Sequence, residues 1–315
     1  MPMGNRTLVT EFVLTGLTDL PELQLILFMM FFAVYIFTLV GNLGVIALIN
    51  ASPQLHTPMY FFLSNLSFLD ICYSSSVTPK FLTDLFHKKK VISFAHCFTQ
   101  FYFYAMFATT ECYLLAVMAY DRYAAICNPL VYFANMSERK RVQLIAVSYG
   151  AGIVNALVHT VAASRLHFCG PNVIRNFYCE VPPILELACS DIHLNDTLIF
   201  IFVGFNVIST SLTILTSYSY ILVTVLKFRC AKSRQKALST CVSHLVVVSI
   251  FYGCGSFIYA RPSNRQNQAQ DKVASVFYVM VTPMLNPLIY SLRNQEVRKA
   301  LRKIMDRKAA FFFKN

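Results

Sequence analysis

Residues 118–127 read MAYDRYAAIC, and the fold follows from where such a stretch can sit. The triplet Asp121-Arg122-Tyr123 closes a long apolar run that begins near Phe94. Asp and Arg each cost on the order of 2.5 to 3.5 kcal/mol at a bilayer centre. The triplet therefore belongs where a helix leaves the membrane, with Asp121 placed to pair with its neighbour. Taken alone, it also fits a helix end marked by ordinary interfacial charges, so the flanks decide.

Hydrophobic residues make up 56% of the 315 and charged residues only 13%, against about 25% charged in a soluble domain. The chain is membrane-embedded rather than a large soluble core. Its net charge of +12 would suit nucleic acid, but the positions of the charges argue otherwise. Seventeen of the 27 Lys and Arg lie in residues 122–141, 227–236 and 293–314. The other ten lie on the opposite side of the membrane, where nine acids on that same side offset them. A one-sided excess is what the positive-inside rule expects of a membrane protein, and nucleic acid is not an expected partner.

A hydrocarbon core about 30 Å thick needs roughly 20 helical residues. Residues 23–50, 58–85, 94–125, 142–164, 197–228, 236–260 and 272–292 meet that requirement. The class predicted is all-α, a seven-transmembrane-helix bundle. The second and third spans contain ionisable residues and the seventh contains two prolines, so these three lean partly on the family likeness described below. An odd number of spans puts the termini on opposite sides, the basic C-terminus in the cytoplasm and the N-terminus outside. Residues 1–22 then form an extracellular tail, 23–292 the seven-span domain, and 293–315 a cytoplasmic helix and tail. The mixed polar start lacks a cleavable signal pattern, and the first span serves as an uncleaved anchor. After the seventh span, Val297, Leu301 and Ile304 fall at helical spacing among Arg298, Lys299, Arg302 and Lys303. That pattern suits a short amphipathic helix on anionic lipid; a disordered basic tail is the alternative.

On the outer side, Asn5-Arg6-Thr7 is a glycosylation sequon and Asn195-Asp196-Thr197 a weaker one, while Asn65 lies in the membrane and Asn135 inside. Cys97 opens the third span, and the long loop 165–196 holds Cys169, Cys179 and Cys189. Four cysteines facing an oxidising compartment suit a two-disulfide framework in any of three pairings, with free thiols as the plain alternative. The other six cysteines read as small apolar fillers.

Five stretches, in this order, carry a family likeness. They are Gly41-Asn42, LHTPMYFFLSNLSFLD at 55–70, MAYDRYAAIC at 118–127, KALSTCVSHL at 236–245 and PMLNPLIYSLRN at 283–294. The chain resembles the tetrapod-type odorant receptors, a branch of the rhodopsin-like G-protein-coupled receptors. It departs from their usual pattern at Ala124, where Val is common, and Leu238, where Phe is common. It has no Trp at all. The resemblance implies the pairs Cys97–Cys179 and Cys169–Cys189. It also implies a plasma-membrane receptor for a volatile odorant, coupled to a stimulatory olfactory-type G protein that raises cyclic AMP. Arg122 would be held by Asp121 at rest and released when the sixth helix swings outward, with Tyr218 and Tyr290 stabilising the open form. Asp121, Tyr123, Asn286 and Pro287 complete the coupling and switch residues, and Pro287 removes a backbone hydrogen bond and permits a kink.

Spacing adds its own argument. Tyr104, Ala108, Glu111 and Arg122 share one face of the third helix, a stripe joining an outer pocket to an inner coupling surface. The pocket expected is Tyr104, Ala105, Ala108 and Thr109 from the third span, with Phe202 and Asn206 from the fifth. Tyr252 and Tyr259 come from the sixth and Tyr278 from the seventh. Such a lining suits a small, mostly hydrophobic, neutral molecule; aromatics at helical spacing also serve as plain packing. Asp70 and Glu111 are acids at mid-membrane depth, so each must be protonated, hydrogen-bonded or cation-bound. The resemblance implies a sodium ion there, with Asn42 and Asn286 in its shell; a structural polar network is the alternative.

Rival functions find less support. An opsin needs a lysine within the seventh span, and residues 273–292 hold none. An amine receptor needs an acid near Tyr104. A channel or transporter could use Asp70 and Glu111 as an ion path, but no internal repeat accompanies them. An enzyme is not expected, for no phosphate loop, zinc motif or nucleophile elbow is present. His159 and His244 stand singly and read as packing or hydrogen-bonding groups.

Overall fold

The computed structural model describes residues 9–18, 20–228, 230–259, 268–293 and 295–312, with the backbone alone at some positions inside helices. The helices are α1 (Pro21–Ala51), α2 (Pro58–Asp84), α3 (Phe94–Cys127), the short α4 (Tyr132–Asn135), α5 (Glu138–Ser164), the short α6 (Val181–Leu185) and α7 (His193–Leu226). After them come α8 (Ala231–Tyr259), α9 (Gln268–Val276), α10 (Thr282–Arg293) and α11 (Gln295–Phe312). Proline at the first position starts α1 and α2, where its missing N–H has no intrahelical acceptor to lose. Ser93 caps α3, its Oγ accepting from His96 N at 3.3 Å, one of the donors a helix start leaves unpaired. Helix α5 begins before the expected residue 142 because Glu138, Arg139 and Lys140 are good helix formers beyond the apolar stretch.

Five of these spans, α1, α3, α5, α7 and Lys272–Ile289, are long and apolar enough to cross a bilayer. Helix α2 is long enough but carries Asp70, Lys80 and Asp84, and the apolar part of α8 is Cys241–Ser256. Polarity in the bundle is inverted relative to a soluble protein. Leu25, Met29, Val40 and Leu43 of α1 and Phe200, Phe205 and Leu212 of α7 are exposed, while Asn42, Asp70, Glu111 and Asn286 are buried. Water would punish apolar faces of that extent; acyl chains match them.

Without a hydrophobic drive between helices, small residues must let them close. Gly152 of α5 does so against α3. A Cβ there would stand 2.2 Å from Thr110 Oγ1 and 2.5 Å from the Met106 carbonyl oxygen. The seventh span is not one α-helix: α9 and α10 are joined by a π-helical turn, Phe277–Val281. Pro283 and Pro287 lack N–H groups, so the helix loses backbone bonds twice. The Pro283 carbonyl, to which residue 287 would otherwise donate, accepts Asn42 Nδ2 at 3.1 Å. This contact ties α10 to α1.

At the end bearing Cys97, the one expected from the sequence to face outward, three short strands form a sheet in the order β2-β1-β3. Strand β1 (Glu11–Leu14) pairs antiparallel with β2 (Val91–Ser93) and parallel with β3 (Val173–Ile174). The sequence reading treated this start as a mixed polar tail. Phe12 and Leu14 alternate inward and are buried, a period too short to stand out in four residues. At the opposite end, α11 follows the seventh span, with Val297 and Ala300 buried and Leu301 48% exposed. Of the expected apolar stripe, Val297 is buried and Leu301 is not, Ala300 packing in its place; the Ile304 side chain lies outside the described residues.

Candidate functional site

A cavity of about 470 Å³ lies between α3, α5, α7, α8 and the seventh span, under α6. Alanines at 105 and 108 leave the space that larger side chains on α3 would fill. Of the nine residues expected at a pocket, Tyr104, Ala105, Ala108, Thr109, Asn206, Tyr252 and Tyr278 line it. Phe202 is not part of the lining; its ring stands edge-on to His159 at 5.8 Å. The Tyr259 side chain lies outside the described residues. No Lys, Arg, Asp or Glu is among the described lining residues, so the chamber favours neutral contents.

Helix α5 also contributes, beyond the residues expected from the sequence. Asn155 and His159 line the cavity, and Asn155 links three helices. Its Nδ2 donates to Thr109 Oγ1 at 2.9 Å, and Asn206 Nδ2 donates to its Oδ1 at 3.1 Å. Tyr113 OH closes the chain onto Asn206 Oδ1 at 2.8 Å. Nearby, Tyr252 OH donates to Thr210 Oγ1 at 2.6 Å. A signal was available: Gly152, Asn155, Ala156, His159 and Ala163 are spaced for one helix face, and all are buried. Polar members of an intramembrane face call for an explanation.

Above the cavity, Cys97 pairs with Cys179 and Cys169 with Cys189, at Cα separations of 5.5 and 5.7 Å. Cys179 N donates to Gln100 Oε1 at 2.9 Å, and Val181 and Pro182 of α6 reach the lining. Tyr178 OH donates to Glu180 Oε2 at 2.8 Å and lies 3.3 Å from the Tyr104 hydroxyl. Burial, with Glu180 adding to it, pushes the Tyr178 phenol well above its ordinary range, so it remains a donor. Lys272 Nζ binds Thr15 Oγ1 at 2.9 Å and the Gly16 carbonyl at 2.7 Å. Gly16 takes φ +66°, and a Cβ there would meet Lys90 at 2.9 Å, so glycine is the residue this turn admits. Asn5 lies outside the described residues. Asn195 is only 5% exposed within the first turn of α7, which opposes its modification.

Beneath the cavity, Asn286 Nδ2 donates to both Asp70 oxygens, at 3.0 and 3.1 Å. Both carboxyl oxygens of Glu111, with Oδ1 of Asn42 and of Asn286, are buried without a hydrogen-bond partner. Of the two acids and two amides foreseen together, Asp70 and Asn286 are in direct contact, while Asn42 Nδ2 donates to the Thr38 and Pro283 carbonyl oxygens. Among the described residues, no group of three or more His, Cys, Asp or Glu is placed to hold a metal.

At the inner end the structure differs from expectation. Asp121 and Arg122 make no ion pair; Asp121 Oδ1 instead accepts the Tyr132 hydroxyl at 2.9 Å. Helix α4, not foreseen, brings Tyr132 there. Burial and the neighbouring Asp121 push the Tyr132 phenol far up, keeping it the donor. Tyr123 packs on Tyr220 with ring centroids 5.6 Å apart. Tyr218 OH and His244 Nδ1 are 2.7 Å apart, with the rings stacked. Pro287 is buried against Gly41, and the Tyr290 side chain lies outside the described residues.

The family profile described as "Olfactory receptor" matches residues 31–308. The mouse (Mus musculus) protein "Olfactory receptor 5AP2" is 56% identical over 96% of this chain and 95% of its own. The human (Homo sapiens) "Olfactory receptor 5L2" is 53% identical over 98% and 99%, and "Olfactory receptor 5F1" 51% over 99% and 100%. The crystal structure of squid rhodopsin superposes with TM-score 0.71 at 18% identity, covering 91% of this chain and 81% of the other. At that identity the likeness speaks for the seven-helix fold alone.

Proposed function

The chain belongs to the olfactory receptor family, and we propose that it binds a small, mostly hydrophobic, neutral volatile in the outer cavity. Binding activates a stimulatory olfactory-type G protein and raises cyclic AMP. As a family member it is a multi-pass plasma-membrane receptor and not an enzyme; its N-terminus lies outside and its basic C-terminus in the cytoplasm. The observation that carries the ligand reading is the cavity itself: about 470 Å³, apolar with a few hydroxyl, amide and imidazole groups, and without a charged side chain among its described lining.

An agonist needs no chemistry here. It must bind the active arrangement better than the resting one, and shifting 1:99 to 99:1 takes about a 10⁴-fold difference in affinity. Tyr278 is where that difference can be transmitted. Its ring lines the cavity and packs on Phe251 of α8 at 5.0 Å and on Tyr73 of α2 at 6.0 Å. A ligand touching Tyr252 and Tyr278 biases the sixth and seventh spans together. Their inner ends then part from Arg122, which meets the G protein along with Asp121 and Tyr123. Tyr218, Asn286, Pro287 and Tyr290 serve the switch.

The buried acids and amides fit a sodium ion. Hard cations take carboxylate and amide oxygens, and four such oxygens lack partners. Asp70 and Glu111, with Asn42 and Asn286, would hold the ion, and its charge would offset that of the acids. The channel alternative is set aside by family membership.

The test is cyclic AMP in cells co-expressing the chain, an olfactory-type G protein and a trafficking helper, across a panel of volatiles. A ligand-dependent rise, lost in Arg122→Ala at matched surface expression, is the expected result. A rise that survives in Arg122→Ala, or ligand-independent ion current, would overturn the mechanism.

A further inference from the structure

We infer that His159 is the polar anchor of the outer cavity and that it selects a volatile alcohol or phenol, a single neutral hydroxyl on an apolar body. The inference rests on the cavity being the ligand site. His159 lines the cavity from α5, is 6% exposed, and its Nε2 is buried without a hydrogen-bond partner. Its polar neighbours on that wall, Thr109, Asn155 and Asn206, bond to one another and to Tyr113. They are occupied in holding α3, α5 and α7 together, whereas the imidazole retains unused capacity. The edge of the ring contact with Phe202 fixes its plane.

The chemistry of the partner follows from what an imidazole can do. With no acid among the described lining residues to pair it, a ring shut into an apolar wall stays neutral. A neutral imidazole offers one donor and one acceptor, and its tautomer adapts to the partner. A hydroxyl both gives and receives a hydrogen bond, so it satisfies either tautomer. An ether or ketone only accepts, which one tautomer still meets, whereas a hydrocarbon of the same shape leaves the nitrogen unmatched in both. Carboxylates and ammonium groups find no opposite charge in this lining. A site that hydrogen-bonds a ligand hydroxyl discriminates against the analogue lacking it far more than an apolar pocket discriminates by size, because the buried nitrogen is left unmatched.

The experiment uses the full receptor in the cyclic AMP assay, with phenols and alkanols each presented beside the hydrocarbon in which a methyl group replaces the hydroxyl. The unmodified receptor is expected to respond to the hydroxyl member at about tenfold lower concentration than to its hydrocarbon. His159→Phe, which keeps the aromatic contact with Phe202, should erase that preference while changing the hydrocarbon response little. His159→Gln, which still hydrogen-bonds, should retain part of it. If His159→Phe does not reach the surface, His159→Leu gives the same reading. A hydroxyl preference that survives in His159→Phe overturns the inference, as does an unmodified receptor at the surface that shows no such preference or ignores every hydroxylated probe. Ala108→Phe, which fills the cavity, separates the two levels. Loss of both responses there leaves the cavity as the ligand site whatever His159 does, and unchanged responses remove the ligand site and the inference together.

Discussion

The outer and inner halves of this bundle are held together in different ways. The outer half is fastened by two disulfides, a three-stranded sheet that includes the N-terminal segment, and the Thr109–Asn155–Asn206–Tyr113 chain of hydrogen bonds. Among the described residues, the inner half is joined by single contacts such as Tyr132 to Asp121, Tyr218 to His244, Lys140 to Tyr120, and Cys127 Sγ to Thr224 Oγ1 at 3.2 Å. Between them lie the two unpartnered carboxyl oxygens of Glu111. Cross-linked and mutually satisfied groups hold one shape, whereas isolated hydrogen bonds, each worth about 1 kcal/mol net, can be exchanged. The division suits a receptor whose pocket must be ready before the ligand arrives and whose inner face must change afterwards.

The largest expected effect comes from breaking the outer half at its tightest point. Gly152→Val should remove most surface expression, measured by flow cytometry, because the added atoms would overlap Thr110 Oγ1 and the Met106 backbone. Overpacking of this kind costs about 1–3 kcal/mol or more. Adding Thr110→Ala should not rescue it, since the Met106 carbonyl remains in the way.

A smaller effect sharpens the inner half. Tyr132→Phe frees Asp121 to pair with Arg122, so basal cyclic AMP should fall severalfold, equivalent to about 1 kcal/mol, with surface expression unchanged. A rise would mean that the Tyr132 contact belongs to the resting arrangement, and the comparison would be reversed at that point. The smallest effect concerns the outer rim: Asn195→Gln should leave the electrophoretic mass unchanged because Asn195 is buried in α7, whereas Asn5→Gln should reduce it by one glycan.

Legibility in the sequence followed the range of the interactions. Local patterns gave the first, fourth, fifth and sixth spans, since an apolar run of twenty residues carries its own signal, while family motifs supported the other three and gave the cysteine pairs that the structure forms. Seven pocket residues could be foreseen because i, i+4 spacing on α3 and matched positions on the other spans mark a shared face. Asn155 and His159 were passed over because each looks like a lone polar residue until Thr109 and Phe202 are placed beside it. The β1–β3 sheet escaped because strands of two to four residues have almost no period, and their pairing spans most of the chain. Tyr132 as partner of Asp121 was hidden for a third reason. The adjacent Arg122 suggested a neighbour pair, yet consecutive helical side chains diverge by about 100°, and the hydroxyl eleven residues on lies closer.

A fastened outer half that drives a switchable inner half can be followed by spin-label distances in the full receptor with and without an agonist found in the volatile panel. One pair of labels would report the inner end, at Val142 and Leu238, and the other the outer end, at Leu194 and Val273; all four side chains are exposed. The account predicts that agonist lengthens the inner distance by several ångström while the outer one stays within its unliganded distribution. An outer distance that changes as much as the inner, or an inner distance that does not move while cyclic AMP rises, would contradict it.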